Sequence, residues 1–321
     1  MQALAVVDIT TSLPAVHQAD IERALDYALA DKAESTRKAY RSDFAAFEAW
    51  CRSRQISHMP ATAAAVASYL AWEAAQGAKA STIGRRCAAI RYFHKLACET
   101  TPTDAESVKA TMRGIRRIIG AKPVKKAPAT GDLTMAMVAA IEGESLRALR
   151  NRALLLFGFA SACRRSEIVA FDVADLQESE EGYRVTIGRS KTDQEGAGHS
   201  IAIPRGARAC PVKAVRAWLE AAGITEGPVF RPVDKAGRVA AARLSDRSVA
   251  NIVKEAAEGA GLDPASFAGH SLRAGFLTSA AKRGANIFKM MEQSRHKSVE
   301  TLRGYVRDAE LFQDHAGAGL L

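Results

Sequence analysis

Cysteine is scarce in this chain of 321 residues, and its placement excludes two kinds of architecture. The five cysteines are odd in number, widely separated and never in CxxC spacing: Cys51, Cys87, Cys98, Cys163 and Cys210. Zinc sites and disulfide frameworks need paired or even-numbered sets. The pattern argues against both, and it is typical of a reducing compartment.

Long apolar runs are missing as well. No stretch approaches the roughly 18 to 20 apolar residues that cross a bilayer. Residues 1–14 lack the charged start and the apolar centre of a secretory signal. We therefore expect a cytoplasmic protein with no membrane partner.

Acidic side chains are in deficit. The chain carries 45 Lys and Arg against 35 Asp and Glu, for a net charge of +10. Such a surplus favours an anionic partner, and nucleic acid is the main candidate. Charge alone is weak evidence, because many basic proteins have no nucleic-acid role. The length predicts two domains of ordinary size.

Strand patterns are absent from the first half, where apolar residues recur at helical spacing. We predict helices over 15–29, from an N-cap at Ser35, from Pro60 and Thr62 to about Gly77, from a cap at Ser81, and from about Asp104. The segment 121–130, rich in lysine and proline, reads as a basic linker. The predicted organisation is a flexible N-terminus at 1–14, a helical domain at 15–120, the linker, and a second domain at 131–321.

The second half mixes helix and strand. Period-two alternation predicts strands at 183–187 and 200–203, and the polar, glycine-bearing segment 192–198 between them indicates a hairpin. Helices are predicted near 154–159, 212–219 and 249–257. From Phe267 onwards the pattern is helical, with predicted breaks at Gly284 and Gly304.

This half also contains the residue types that a phosphodiester-cleaving tyrosine requires. Arginine forks neutralise the nonbridging oxygens, and histidine or lysine can accept and supply protons without a metal. The candidate catalytic residues are Arg164, Glu167, Lys191, His270, Arg273, His296 and Tyr305. Each is unremarkable alone: an HxxR pair is usually a surface or capping pair, and a lone tyrosine is usually a half-buried aromatic. Only the set in this order carries the argument.

The set resembles the motifs of the tyrosine recombinases, or phage integrases. Ala162-Cys163-Arg164-Arg165-Ser166-Glu167 looks like their first arginine motif, His270-Ser271-Leu272-Arg273 like their HxxR motif, and His296 followed by Tyr305 like their nucleophile box. Lys191 matches the hairpin lysine. The first half, with 35–40 and 81–83, resembles their core-binding domain. The absence of a separate arm-binding domain favours a simple two-domain member of the Cre and Xer type.

The resemblance implies a fold and a mechanism. The fold is multidomain: an all-α, SAM-like core-binding domain followed by a mainly α catalytic domain with a small antiparallel β-sheet. Tyr305 attacks the scissile phosphate and forms a 3′-phosphotyrosyl link with release of a 5′ hydroxyl. Arg164 and Arg273 stabilise the phosphorane, Lys191 protonates the leaving oxygen, and no metal, ATP or other cofactor takes part. His270 is the base or a phosphate ligand, His296 a hydrogen-bond donor and Glu167 a supporting acid.

The resemblance also implies partners and contacts. A homotetramer acts on two double-stranded DNA sites with inverted repeats, and each protomer passes the segment 309–312 to a neighbour. The candidate DNA-binding residues are Arg37, Lys38, Arg85, Arg86 and Arg247. One departure stands out, since Arg295 precedes His296 where glycine is frequent. It affects the local backbone or adds a phosphate contact.

Two other functions stay open. A type IB topoisomerase uses similar groups for DNA relaxation, and a non-catalytic DNA-binding or architectural protein could carry a degenerate site. The helical domain ahead of the catalytic half favours recombination over relaxation, and the complete residue set argues against a degenerate site.

Overall fold

The chain folds into two compact units in a computed structural model. The units comprise Met1–Val124 and Lys125–Leu321. The structure describes residues 20, 23, 27, 31–120, 125–188 and 198–309. The predicted first helix, at 15–29, lies almost wholly outside these residues.

The described part of the first unit is helical throughout. Its helices are α1 (Glu34–Arg52), α2 (Ala63–Ala75), α3 (Ala80–Leu96) and α4 (Glu106–Ile119), with a 3-10 turn at Pro102–Asp104. Between residues 31 and 120 there is no strand, which confirms the all-helical prediction for this part. Phe47, Tyr69, Leu70, Ile83 and Ile90 are completely buried and form the centre of its core.

The predicted helix caps are partly confirmed. Thr62 caps α2, because its side chain accepts a hydrogen bond from the amide of Ala65. The caps predicted at Ser35 and Ser81 are wrong. Each serine lies in the first helical turn, after the residues Ala33 and Lys79, which take the extended cap conformation without a side-chain bond. Helix α3 begins at Ala80, one residue before Ser81, and both Ala80 and Ile83 are buried.

The described part of the second unit is mainly helical with one small sheet. Its helices are α5 (Gly131–Ala139), α6 (Leu146–Ala160), α7 (Arg165–Ile168), α8 (Pro211–Ala221), α9 (Asp246–Gly259), α10 (Ser271–Lys282), α11 (Ile287–Ser294) and α12 (Val299–Ala309). The strands β1 (Leu176–Glu178), β2 (Gly182–Ile187) and β3 (His199–Pro204) pair antiparallel in the order β1-β2-β3. The two predicted strands are confirmed, whereas three-residue β1 is too short to show a period.

Alternation along the sheet directs one face into the core. Val185 faces Ile201 and Tyr183 faces Ile203 in the β2–β3 register, and all four side chains are buried. Helix α6 supplies Leu154, Leu155 and Phe157 to the same core. This arrangement fixes the C-terminal end of α6, from which the first arginine motif follows.

A second, smaller cluster holds the C-terminal helices together. Leu277 of α10, Met290 of α11 and Leu302 of α12 are buried against one another. The break predicted at Gly304 is wrong, since Gly304 lies within α12. A glycine inside a helix costs only about 1 kcal/mol, and the apolar face of α12 outweighs it. The break at Gly284 is confirmed by its positive φ of 70°.

No described helix has both the length and the apolar character of a membrane span. Nor do the described residues bring three or more His, Cys, Asp or Glu side chains together as metal ligands.

Candidate active site

Arg164 and Glu167 meet at the N-terminal end of α7. The turn Ser161–Cys163 after α6 is completely buried and delivers Arg164 to the N-cap position of α7. Glu167 Oε2 accepts a hydrogen bond from the Arg164 amide at 2.7 Å, and Glu167 Oε1 accepts one from Arg164 Nη1 at 2.8 Å. Arg165 turns away, is exposed and pairs with Asp246 at 3.0 Å. Arg164 is therefore the arginine of this pair that lies beside Glu167.

Arg273 connects the first arginine motif to the second histidine. It lies on the first turn of α10 and is buried. Its Nη1 donates to the carbonyl of Ala162 at 2.5 Å, and its Nη2 lies 3.3 Å from the ring nitrogens of His296. Burial is the main cause that lowers the pKa of Arg273 to about 10, and nearby Arg164 adds to it. A guanidinium with that pKa is charged at neutral pH.

His296 follows α11 and is half-buried. The Ser294 hydroxyl donates to the Met290 carbonyl at 2.6 Å and lies 2.7 Å from His296 Nδ1. Because that hydroxyl has one proton, Nδ1–H donates to it and Nε2 is the unprotonated nitrogen. Burial first, then Arg273, Arg164 and Arg295, lowers the pKa of His296 to about 4. The imidazole is thus neutral at physiological pH, and in the free chain its N–H is bonded to Ser294.

Tyr305 lies on α12, next to this histidine. The two ring centroids are 6.4 Å apart. Its half-buried ring packs at the edge of the cluster formed by Leu277, Met290 and Leu302. The packing orients the ring and holds the phenol beside His296.

His270 occupies the N-cap position of α10, without a side-chain cap bond, and lies at the surface of the unit. Its pKa is lowered by partial burial of the imidazole, and then by the charges of Arg273, Arg164 and Arg165. It is therefore neutral at pH 7 and able to accept a proton. Arg164 influences the pKa of both His270 and Arg273, so the three side chains lie within electrostatic range of one another.

Lys191 lies outside the described residues, within 189–197. The strands on either side of that segment are described, and Ile187 pairs with His199 at the end of the ladder nearest to it. Strand β3 is attached to α11: His199 Nε2 lies 3.2 Å from the Glu292 carbonyl, and Gln293 Nε2 donates to the Ala202 carbonyl at 3.0 Å. Strand β3 therefore lies beside the helix that precedes His296.

Arg295 also belongs to this cluster, although the sequence alone did not predict it as a site residue. It adopts the left-handed backbone conformation, with φ 56° and ψ 39°, at the end of α11. Its guanidinium is buried, bonded to Glu167 and 3.6 to 3.7 Å from the sulfur of Cys163. The departure from glycine was the one available signal, because it placed a long cation at a turn.

The five candidate DNA-binding residues differ in their surroundings. Arg85 binds the buried carboxylate of Asp43 with two hydrogen bonds, of 2.6 and 3.0 Å, and Arg86 pairs with the buried carboxylate of Glu73. Lys38 and Arg247 are exposed and Arg37 is half-buried. Only Lys38 and Arg247 present an exposed side chain that is not held by such a buried carboxylate, and a DNA contact remains a prediction for all five.

Comparisons with known proteins agree with this architecture. Residues 130–311 match the Phage integrase family, and residues 21–100 match the phage integrase N-terminal SAM-like domain. The chain is 38% identical over 290 residues to an integrase/recombinase xerD homolog from Selenomonas ruminantium, covering 89% of this chain and 85% of that protein. It is 26% identical over 295 residues to recombinase cre of Escherichia phage P1, covering 86% and 85%.

Solved structures share the fold. A lambda integrase dimer bound to a COC′ core site has a TM-score of 0.62 at 17% identity, covering 96% of this chain and 84% of that one. The XerH recombinase bound to a palindromic difH substrate has a TM-score of 0.60 at 15% identity, covering 81% and 72%.

The chain belongs to the phage integrase family. It is a tyrosine recombinase, an enzyme of the class that cleaves and rejoins DNA strands at specific sites. The predicted family, fold class and enzyme class are confirmed.

Proposed function

We propose that this enzyme recombines DNA through a covalent link to Tyr305. The phenolic oxygen attacks the scissile phosphorus, the bond from phosphorus to the 5′ oxygen breaks, and a 3′-phosphotyrosyl link and a free 5′ hydroxyl result. The hydroxyl of a partner strand then attacks the same phosphorus and releases Tyr305. One phosphate ester is exchanged for another at each step, so neither ATP nor a metal is required.

One observation supports this proposal above the others: three distant motifs meet at Arg273. Arg273 bonds to the turn that carries Arg164 and to the ring of His296, which lies against Tyr305. Arg164 and Arg273 suit a phosphodiester, because the guanidinium fork neutralises the charge that develops on the phosphorane oxygens.

The proton transfers follow from the surroundings of each group. His270 is neutral at pH 7, since its pKa is lowered, and it accepts the proton of Tyr305 or binds the phosphate. Lys191 supplies the proton to the departing 5′ oxygen. His296 contributes a hydrogen bond once substrate replaces its present partners, and Glu167 supports Arg164.

The partner is double-stranded DNA with an inverted-repeat site, and two such sites are bound by a homotetramer in the cytoplasm. The XerH and lambda integrase structures hold DNA, and the net charge of +10 suits the same partner here. The exchange segment 309–312 extends beyond the described residues after Ala309.

Selection of bound DNA from a random pool identifies the site, and a nicked suicide substrate that carries it tests the chemistry. Wild type is expected to form a covalent adduct, and Tyr305→Phe to bind the same DNA and form none. Absence of an adduct with wild type, or an equal yield with Tyr305→Phe, contradicts the proposal. A plasmid with two sites separates deletion from site-independent relaxation, which would favour a topoisomerase.

A further inference from the structure

The glutamate of the first arginine motif is shared between two arginines. Glu167 is buried, and its Oε1 binds Arg164 Nη1 while its Oε2 binds Arg295 Nη2. Removing one partner from a buried charge pair is costly, because the remaining charge stays desolvated. The orientation of Arg164 and the charge it has left for a substrate therefore depend on whether Arg295 also neutralises Glu167.

Arg295 has a left-handed backbone conformation that would suit glycine better than a residue with a long side chain. A φ of 56° is rarely adopted by residues with a side chain, and glycine adopts it freely at the end of a helix. A residue that only terminates α11 would not need a guanidinium. Here the guanidinium is directed inward, with 7% of the side chain exposed, and it reaches a motif 128 residues away in sequence.

The balance of charges in this cluster gives the Arg295 guanidinium a role. Arg164, Arg273 and Arg295 carry three positive charges, and Glu167 carries the one negative charge among the ion pairs described around them. With Arg295 present, Glu167 is neutralised by a residue that does not need to contact the substrate. Arg164 and Arg273 then retain two positive charges for one anionic phosphodiester.

We infer that Arg295 is a positioning residue that neutralises Glu167, so that Arg164 keeps its orientation and its full charge for the scissile phosphate. The same ion pair joins the turn before His296 to the N-terminal end of α7. The inference rests on the proposed function, since it concerns the rate of the cleavage step.

The test compares Arg295→Gln, Glu167→Gln and the double variant in full-length protein. The cleavage rate is measured as covalent adduct formation on a nicked duplex carrying the selected site. Arg295→Gln is expected to cleave about 10- to 100-fold more slowly, because a displaced catalytic group loses about that much, with DNA affinity within about threefold. In the double variant the negative charge that Arg164 alone would otherwise neutralise is gone, so the rate is expected to recover above that of Arg295→Gln.

A second readout does not need DNA. The charge of Arg295 helps to keep His296 neutral, so Arg295→Gln is expected to raise the pH at which His296 titrates in a histidine NMR spectrum. Arg295→Lys keeps a positive charge and is expected to leave that midpoint near the wild-type value. Arg238→Gln removes one charge from an exposed ion pair with Asp234 and serves as the matched control.

The outcomes are distinct. A double variant slower than either single variant, or an Arg295→Gln protein with wild-type rate and wild-type His296 titration, overturns the inference. If Arg295→Gln does not fold, Arg295→Gly takes its place, since glycine suits this backbone; a fast Arg295→Gly enzyme overturns the inference as well. Failure of the proposed function looks different, because wild type itself would then form no adduct.

Discussion

Arg273 Nη2 lies 3.3 Å from the ring nitrogens of His296, and Arg273 Nη1 donates to the Ala162 carbonyl. One planar group thus spans two motifs that are far apart in the sequence. Lysine cannot do this, because an ammonium is a single point charge without the fixed fork of a guanidinium.

Arg273→Lys is therefore expected to reduce the cleavage rate by about 100-fold or more, which corresponds to the loss of one preorganised donor to a developing negative charge. The measurement is single-turnover adduct formation at saturating DNA. An equal decrease in DNA affinity would contradict the assigned role, since many phosphate contacts elsewhere determine affinity. Arg243→Lys is a control outside the cluster, because Arg243 bonds to Val169 and Phe171 carbonyls.

The stability of the second unit is expected to fall as the pH decreases below 6.5. The pKa of His296 is about 4 in the folded chain, against the ordinary value of 6.5 that applies to the unfolded chain. Between these two pH values the unfolded chain therefore binds more protons than the folded one. The contribution of His296 is present above pH 6.5 and is lost as the pH falls through 4.

Denaturant unfolding at pH 7 and pH 5 measures this effect. His296→Gln should reduce the decrease by about 1 kcal/mol, a figure lowered for solvent screening of a half-buried ring. His270 changes in the same direction, so the comparison is between variant and wild type rather than between pH values alone. An unchanged pH dependence in His296→Gln would show that the imidazole is not kept neutral by its surroundings.

Two of the predicted DNA-binding arginines have a structural role in the first unit that the sequence did not reveal. Arg86→Ala would leave the Glu73 carboxylate buried without its partner, so we expect a loss of about 3 kcal/mol in stability. Lys38→Ala removes an exposed charge and should leave stability unchanged.

Salt dependence of DNA binding separates the two roles. A lysine that contacts a phosphate reduces the slope of log K against log salt by about 1 when it is removed. Lys38→Ala is expected to do so. If Arg86→Ala reduces the slope and leaves unfolding unaffected, the ion pair with Glu73 does not have the structural role that its burial indicates.

The two halves of the chain show what a sequence can predict here. Strands β2 and β3 and the helical first unit follow from local periodicity, since apolar residues at fixed spacing must share a face. The motif order is also local information, so the sequence alone predicts Arg164, Arg273, His296 and Tyr305 as one candidate set. Arg295 was noticed but not assigned, because its partner Glu167 is distant in sequence and only tertiary packing brings the two together. The ion pairs of Arg85 and Arg86 were missed for the same reason.

The proposed role of Lys191 is the protonation of the departing 5′ oxygen. Lys191→Ala is expected to slow cleavage strongly while DNA affinity stays nearly intact, since the leaving alkoxide would then depart without a proton. A substrate with sulfur in place of the bridging 5′ oxygen tests the assignment, because a thiolate leaves without protonation. That substrate should restore cleavage by Lys191→Ala and should not restore cleavage by Arg164→Ala, whose defect is in phosphate charge stabilisation. Equal restoration of both variants would mean that Lys191 is not the acid, and a parallel loss of DNA binding in Lys191→Ala would assign it to substrate binding instead.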